Sequence, residues 1–461
     1  MAGRSLDSSD SSKPPRELGN GLTLRWSRAD DTERITRLVG HAFRRRPDDA
    51  PDRSLQDLVR RYMRGDYPFM GPGDFILVED TQRDDQVVAC ACYLREEWEF
   101  DGISLPVGRP EIVATDPEYR NRGLIRAAFA ALHERCEEDQ TLVQAITGIP
   151  YFYRQFGYEY AVDLGGQTAV PVTMLPEAPG AQDGQPEAVA YRLRPARADE
   201  VSFLADCYRH QQRDSLVTTV LPDAFWRYHI AAEQEPGPLL SYLRIRVIET
   251  DRGDRCGFIV TPCQRSGDSI RVYLAAFAPG TNVSAMVPSL LRALRTLGEQ
   301  IPAHPSDKPL RKVVLELGRE HPLYDALPAG WLPHREPPYA WYVRVPDLPR
   351  LLGRITPALE RRIADSSYAG YDGELLIDSY RGGLRLTFVK GSLETVSQHR
   401  FGPYDDSASA GIPTLAFLRL LFGYSSLDEL RSAYPDVWVK GEVRGFFEAL
   451  FPKRPSRVFP T

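Results

Sequence analysis

Residues 110–160 read PEIVATDPEYRNRGLIRAAFAALHERCEEDQTLVQAITGIPYFYRQFGYEY. A strand runs to Ala114 and turns at Asp116-Pro117. A basic loop with a glycine, Arg120-Asn121-Arg122-Gly123, then opens an amphipathic helix. A second strand follows at 142–146, and after it an aromatic-rich piece at 151–160. A strand feeding a basic loop at a helix N-terminus is suited to hold phosphate. Free backbone N–H groups and the positive end of the helix dipole both point at the anion there.

Outward from this stretch, the chain repeats itself. Residues 24–31 read LRWSRADD and residues 193–200 read LRPARADE, the same at five positions. Each is a strand end followed by an acid placed to cap a helix, predicted over 32–43 in the first copy and 201–210 in the second. Each copy continues with a hairpin (75–80 with 87–100, and 243–250 with 256–262), another strand and another helix. The second copy goes on with SIRVYLAAF at 269–277, a helix at 285–299 and a strand at 312–317. Two related α/β domains in tandem are expected. They meet at a Pro-rich stretch, 170–188, which reads as a domain edge or exposed loop.

A third block differs from both. It has a helix at 348–364, three short strands within 375–396 and short helices at 414–422 and 426–433, before an irregular Pro-rich end. The domains expected are 21–168, 169–345 and 346–461, preceded by a disordered Ser- and Asp-rich tail at 1–20. The 461 residues exceed what one core supports, and length alone suggests about three domains.

Composition narrows the function classes. Hydrophobic residues make up 42% and charged residues 26%, the usual range for a soluble globular protein. A net charge of -6 gives no basic field for nucleic acid. No apolar run approaches the roughly 20 residues of a membrane span, and the first residues lack the apolar core of a secretory signal. Cys90, Cys92, Cys136, Cys207, Cys256 and Cys263 form no CxxC pair, which suits buried thiols in a reducing cytoplasm. The eight histidines show no HExxH-type spacing, so no metal is expected. His133 reads as helix surface. Glu96, Glu97 and Glu99 either line an acidic cleft that draws an amine or form a solvated strand face.

The two copies differ at the loop. Where the first has RNRG, the second has APGTNVS at 278–284, with no basic residue. Only the first domain can hold phosphate in this way.

Residues 110–160 resemble the core of the GCN5-related N-acetyltransferases (GNAT), which hold the pyrophosphate of acetyl-CoA with an R/Q-x-x-G-x-G/A loop at a helix N-terminus. Here Ile125 stands in place of the final small residue. From Leu22 onward the layout resembles acetyltransferases of the enhanced-intracellular-survival (Eis) type. That subfamily typically carries RRRGLLR at the loop and IYGRFGYG after the next strand. This chain has RNRGLIR and FYRQFGYE.

The resemblance implies an α/β (α+β) protein with two tandem GNAT-like domains and a C-terminal domain similar to sterol carrier proteins. It implies that Val113, Ala114 and Thr115 offer backbone to the pantetheine arm of acetyl-CoA. Asn121, Arg122, Gly123, Leu124, Ile125 and Arg126 would cradle the pyrophosphate. Gly148-Ile149 stand where the subfamily commonly has a cofactor-contacting Ser-Glu. Tyr153 falls on the general acid, with Tyr158 as the other candidate donor. A phenol of reference pKa about 10 is protonated at pH 7 and can supply the proton a departing thiolate needs. The C-terminal carboxylate, here that of Thr461, would be the general base. The acceptor implied is a small-molecule amine, with aminoglycosides and polyamines among the possibilities, and the assembly a homo-oligomer, a hexamer by resemblance. The alternative is a non-catalytic CoA- or lipid-binding module on a degenerate acetyltransferase fold.

Overall fold

The computed structural model describes residues 14–44, 46, 48–175, 191–234, 242–304, 308–328, 331, 335–402 and 405–461. They form two compact units. The first comprises Met1–Val162 and Trp341–Arg454, the second Asp163–Ala340 and Pro455–Thr461.

In the first unit the elements are β1 (Arg16–Gly19), β2 (Leu22–Trp26), α1 (Thr32–Ala42), α2 (Arg53–Met63), β3 (Phe75–Asp80), β4 (Gln86–Phe100), β5 (Ile103–Thr115), α3 (Leu124–Glu138), β6 (Val143–Ile146) and β7 (Glu159–Leu164). The sheet runs β1-β2-β3-β4-β5-β6, then the strand Tyr339–Arg344, then β7. Its centre is apolar on both sides: Val87 to Leu94 are all buried. That continuous burial is expected where helices cover both faces. Here α3 lies against β3, β4 and β5, and α1 against β4 and β5.

Three sequence expectations change. Among the described residues the first strand begins at Arg16, inside the tail expected at 1–20, because β1 pairs with β2; residues 1–13 lie outside the described residues. The strand Tyr339–Arg344, read as the end of a second domain reaching 345, pairs antiparallel with β6, Tyr342 opposite Ile146. Residues 341–454, read as a separate domain from 346, fall within the first unit. A physical reason is visible at Asp101, on the β4–β5 turn. It accepts charged hydrogen bonds from Arg362 (3.0 Å) and Arg454 (2.8 Å), and nearby Phe100 meets Phe422 edge-on at 5.9 Å. Within this block the helix Leu348–Ala364 accompanies a five-stranded sheet in the order 392–399, 383–389, 373–378, 410–411, 438–439.

The second unit contains two sheets. One runs 274–277, 255–262, 243–250, 191–195; the other 303–304, 265–266, 269–272, 312–315, 167–171, 335–336. The expected single strand 269–277 changes partner at Tyr273. Its first half lies parallel to Lys312–Leu315 and its second half antiparallel to Arg255–Pro262. The Pro-rich boundary is only partly described: 167–171 is a strand, and 176–190 lie outside the described residues.

The repeat is real in three dimensions. Arg25 bridges Asp31 and Glu79, each at 2.8 Å, and Arg194 bridges Glu200 and Glu249, each at 2.6 Å. In both copies the acid also accepts from the backbone N–H three residues earlier, Arg28 or Arg197. One arginine thus ties the strand end, the helix start and the hairpin together twice over.

Candidate active site

The site of the first unit begins where β5 and β6 part. Their parallel ladder holds only two pairs, Val107 with Val143 and Gly108 with Gln144. Beyond it β6 turns to Tyr339–Arg344, while β5 continues along β4 to Thr115. On that far half β5 is bulged. Ala114 faces Cys90 and Glu111 faces Cys92, so β5 holds one extra residue, with Ile112 at φ +48°. A bulge re-aims the groups beside it. Val113 and Thr115 are half-buried and Ala114 buried here, and their backbone lies on the edge that β6 has left.

The strand leads into the loop through Asp116, whose carboxylate accepts from Glu118 N–H. Asn121 and Gly123 both take left-handed backbone, φ +62° and +76°. Gly123 is the N-cap of α3, and a Cβ built on it would meet no atom within 4 Å. The first N–H groups of a helix have no intrahelical acceptor, so those of Leu124, Ile125 and Arg126 face an open surface beside Gly123. The basic side chains divide their roles. Arg122 folds back, donating to Glu118 O at 3.0 Å and covering the Tyr119 ring at 4.6 Å. Arg126 donates to Gln155 at 3.1 Å. Arg120 is exposed and makes no ion pair among the described residues, which leaves it the cation most available to an anion.

Helix α3 carries the loop into the aromatic cluster. Phe129 stacks on Phe156 at 4.6 Å and lies 5.7 Å from Tyr153, which also meets Phe152, Tyr158 and Tyr342. Tyr153 sits in a 3-10 turn, Phe152–Phe156, and is only 3% exposed. Its hydroxyl has no hydrogen-bond partner among the described residues. Burial, and after it the charge of Glu111, pushes the phenol above its ordinary value, so it is protonated at neutral pH. Gly148, at φ +132°, lies against the Tyr153 ring, and the neighbouring Ile149 is exposed, its carbonyl accepting from Tyr342 Oη.

Tyr158 is differently placed. It is fully buried, its hydroxyl 3.1 Å from His133 Nε2 and 3.3 Å from Gln144 Oε1. His133 is therefore not plain helix surface. It is half-buried, and desolvation, then the charge of Arg344, lowers its pKa to about 4. The three glutamates of β4 also separate. Glu96 is buried, paired with Arg109 at 2.5 Å and accepting from Trp98 Nε1, so it lines no open cleft; Glu97 points to the other face of the strand and is exposed. Thr461 ends the tail of the second unit, where Phe459 exchanges hydrogen bonds with the Thr219 side chain. In that unit the counterpart helix Val283–Gln300 is capped by Asn282 and brings no basic loop. A cavity of about 240 Å³ there lies between Leu274-Ala275 and 316–318, with Val458 and Phe459 in its wall.

Residues 23–161 match the family model described as Acetyltransferase (GNAT) domain. This part of the chain is an acetyltransferase domain of the GNAT type, and the enzyme class it defines is N-acetyltransferase. No curated protein matches the chain. Solved structures share the fold over 95% of this chain and 99% of theirs: a probable N-acyltransferase from Enterococcus faecalis V583 (14% identity, TM-score 0.65), a GCN5-related N-acetyltransferase from Kribbella flavida (18%, 0.62) and Eis1 from Mycobacterium abscessus (14%, 0.55). No helix among the described residues is long and apolar enough to cross a membrane.

Proposed function

We propose that the protein transfers the acetyl group of acetyl-CoA to a primary amine by direct attack, with Tyr153 as general acid. The observation that carries this is the Tyr153 hydroxyl, in a side chain 3% exposed yet without a protein partner among the described residues. A buried polar group is ordinarily hydrogen-bonded, and a free one beside parted strands is suited to a transient partner. The chain's residues also fit the donor. Gly123, Leu124, Ile125 and Arg126 offer N–H groups to the pyrophosphate and Arg120 its charge. The bulged edge at Val113, Ala114 and Thr115 offers backbone to the pantetheine arm and to the carbonyl oxygen as negative charge develops on it.

In the reaction the neutral amine forms a C–N bond to the acetyl carbon and the C–S bond breaks. The thiolate leaving takes the Tyr153 proton, and the proton of the attacking nitrogen passes to a base. The test is calorimetric titration with CoA followed by acetyl-CoA turnover over a panel of polyamines and aminoglycosides. Micromolar CoA binding with turnover of at least one amine is expected. Absence of CoA binding overturns the reading.

A further inference from the structure

The second unit also has a fork between strands. Ser269–Val272 runs parallel to Lys312–Leu315 as far as Val272 and Leu315, and Glu316 N–H still donates to the Val272 carbonyl at 2.9 Å. The strands then part. Tyr273 N–H donates to the Val260 carbonyl, and Leu274 is the register partner of the same Val260. Two residues thus oppose one, as at the bulge of β5. The cavity of about 240 Å³ lies in this fork. His321 bridges its two arms, Nε2 donating to the Ala275 carbonyl at 3.0 Å and Nδ1 accepting from Leu323 N–H.

The ionic groups of the wall are engaged within the chain. Asp163 pairs with Arg319 at 2.6 Å and Glu316 with Arg271 at 3.0 Å, while the Arg457 guanidinium donates to the Gln211 and Glu320 carbonyls. Burial, then the charge of Arg457, lowers the His321 pKa to about 3, so the imidazole is neutral. A further ion buried here would find no counter-charge. The rest of the wall is apolar, with Leu274, Leu317 and Val458, or neutral and polar, with Tyr273 and Gln212. Gln212 is 8% exposed, and its Oε1 has no hydrogen-bond partner among the described residues. A buried amide ordinarily has one.

We propose that this fork is a second binding site, for a neutral ligand with an apolar body and a secondary amide that bonds Gln212. The site belongs to the second unit alone and does not depend on acetyl transfer.

The probe is N-benzylacetamide, compared with benzylamine and phenylacetate, which carry the same ring with a cation or an anion. A cavity of about 150 Å³ accepts benzene, so this one has room for the ring and the amide. In the full chain the amide is expected to bind with a Kd below about 1 mM, and each ion at least about tenfold more weakly. Methyl NMR should place it by shifts at Leu274, Ala275, Leu317 and Val458. In Gln212→Leu the amide affinity falls about tenfold, CoA affinity is kept, and Tm is kept or rises because no protein bond is lost. No binding of the amide, equal binding of either ion, shifts confined to other methyls, or an amide affinity unmoved by Gln212→Leu overturns the inference and leaves acetyl transfer standing. Should the variant fail to fold, the ion comparison and the shifts in the wild type decide.

Discussion

The ring of Tyr153 rests on Gly148: a Cβ atom at position 148 would lie 3.3 Å from Tyr153 Cε2 and 3.4 Å from its hydroxyl oxygen. Gly148 also holds φ +132°, which side chains rarely adopt. Gly148→Ala should therefore move the phenol and strain the turn, at a cost of roughly 1–3 kcal/mol. A lower Tm and a kcat reduced about tenfold are expected, with CoA affinity little changed. Wild-type kcat in this variant would show that Gly148 does not set the position of Tyr153.

The loop makes a graded prediction. Arg120→Ala removes the exposed cation and Gly123→Ala forces a Cβ into left-handed backbone, costing about 1–2 kcal/mol. Each should weaken CoA binding about tenfold by calorimetry. Arg122→Ala should cost less, because Arg122 is already engaged with Tyr119 and the Glu118 carbonyl. Equal losses for Arg120 and Arg122 would contradict this division.

The two arginines of the repeat should behave alike. Arg25 is 11% exposed and Arg194 18%, and each holds two largely buried carboxylates. Removing one partner from such a pair strands the charges left behind, at about 3–5 kcal/mol. Arg25→Ala and Arg194→Ala should each lower Tm by several degrees, and either one behaving as a neutral surface change would contradict the shared role.

These cases show what was legible in the sequence. The repeat was readable because Arg25 and Arg194 must meet an acid six residues on, which preserved the RAD-acid pattern. The loop was readable because glycine and charge mark it. Helix α2 was missed although residues 55, 58, 59, 62 and 63 carry a helical apolar stripe and Asp52 caps it by accepting from Leu55 N–H. The helix Gly441–Leu450 was missed because two glycines weaken its signal; Gly445 is glycine since the Tyr368 hydroxyl passes over it. The β5 bulge, and with it Glu111, could not be read, because a one-residue register shift depends on pairing with β4. The burial of His133 likewise depends on Tyr158, 25 residues away.

His133 gives a pH prediction. Its folded pKa of about 4 lies below the ordinary value of 6.5. The unfolded chain therefore takes up the proton first as pH falls. Stability is full above about pH 6.5 and declines toward pH 4, by up to about 3 kcal/mol. His133→Gln should flatten that part of the urea-unfolding profile; an unchanged slope between pH 6.5 and 4 would contradict the account.

Acetyl-CoA turnover on an amine, measured for wild type and Tyr153→Phe side by side, bears most directly on the central claim. The account predicts turnover by the wild type and a kcat at least about a hundredfold lower in Tyr153→Phe, with CoA affinity within about threefold. Tight CoA binding with no turnover of any amine would contradict acetyl transfer itself, and an unchanged kcat in Tyr153→Phe would contradict the role of Tyr153.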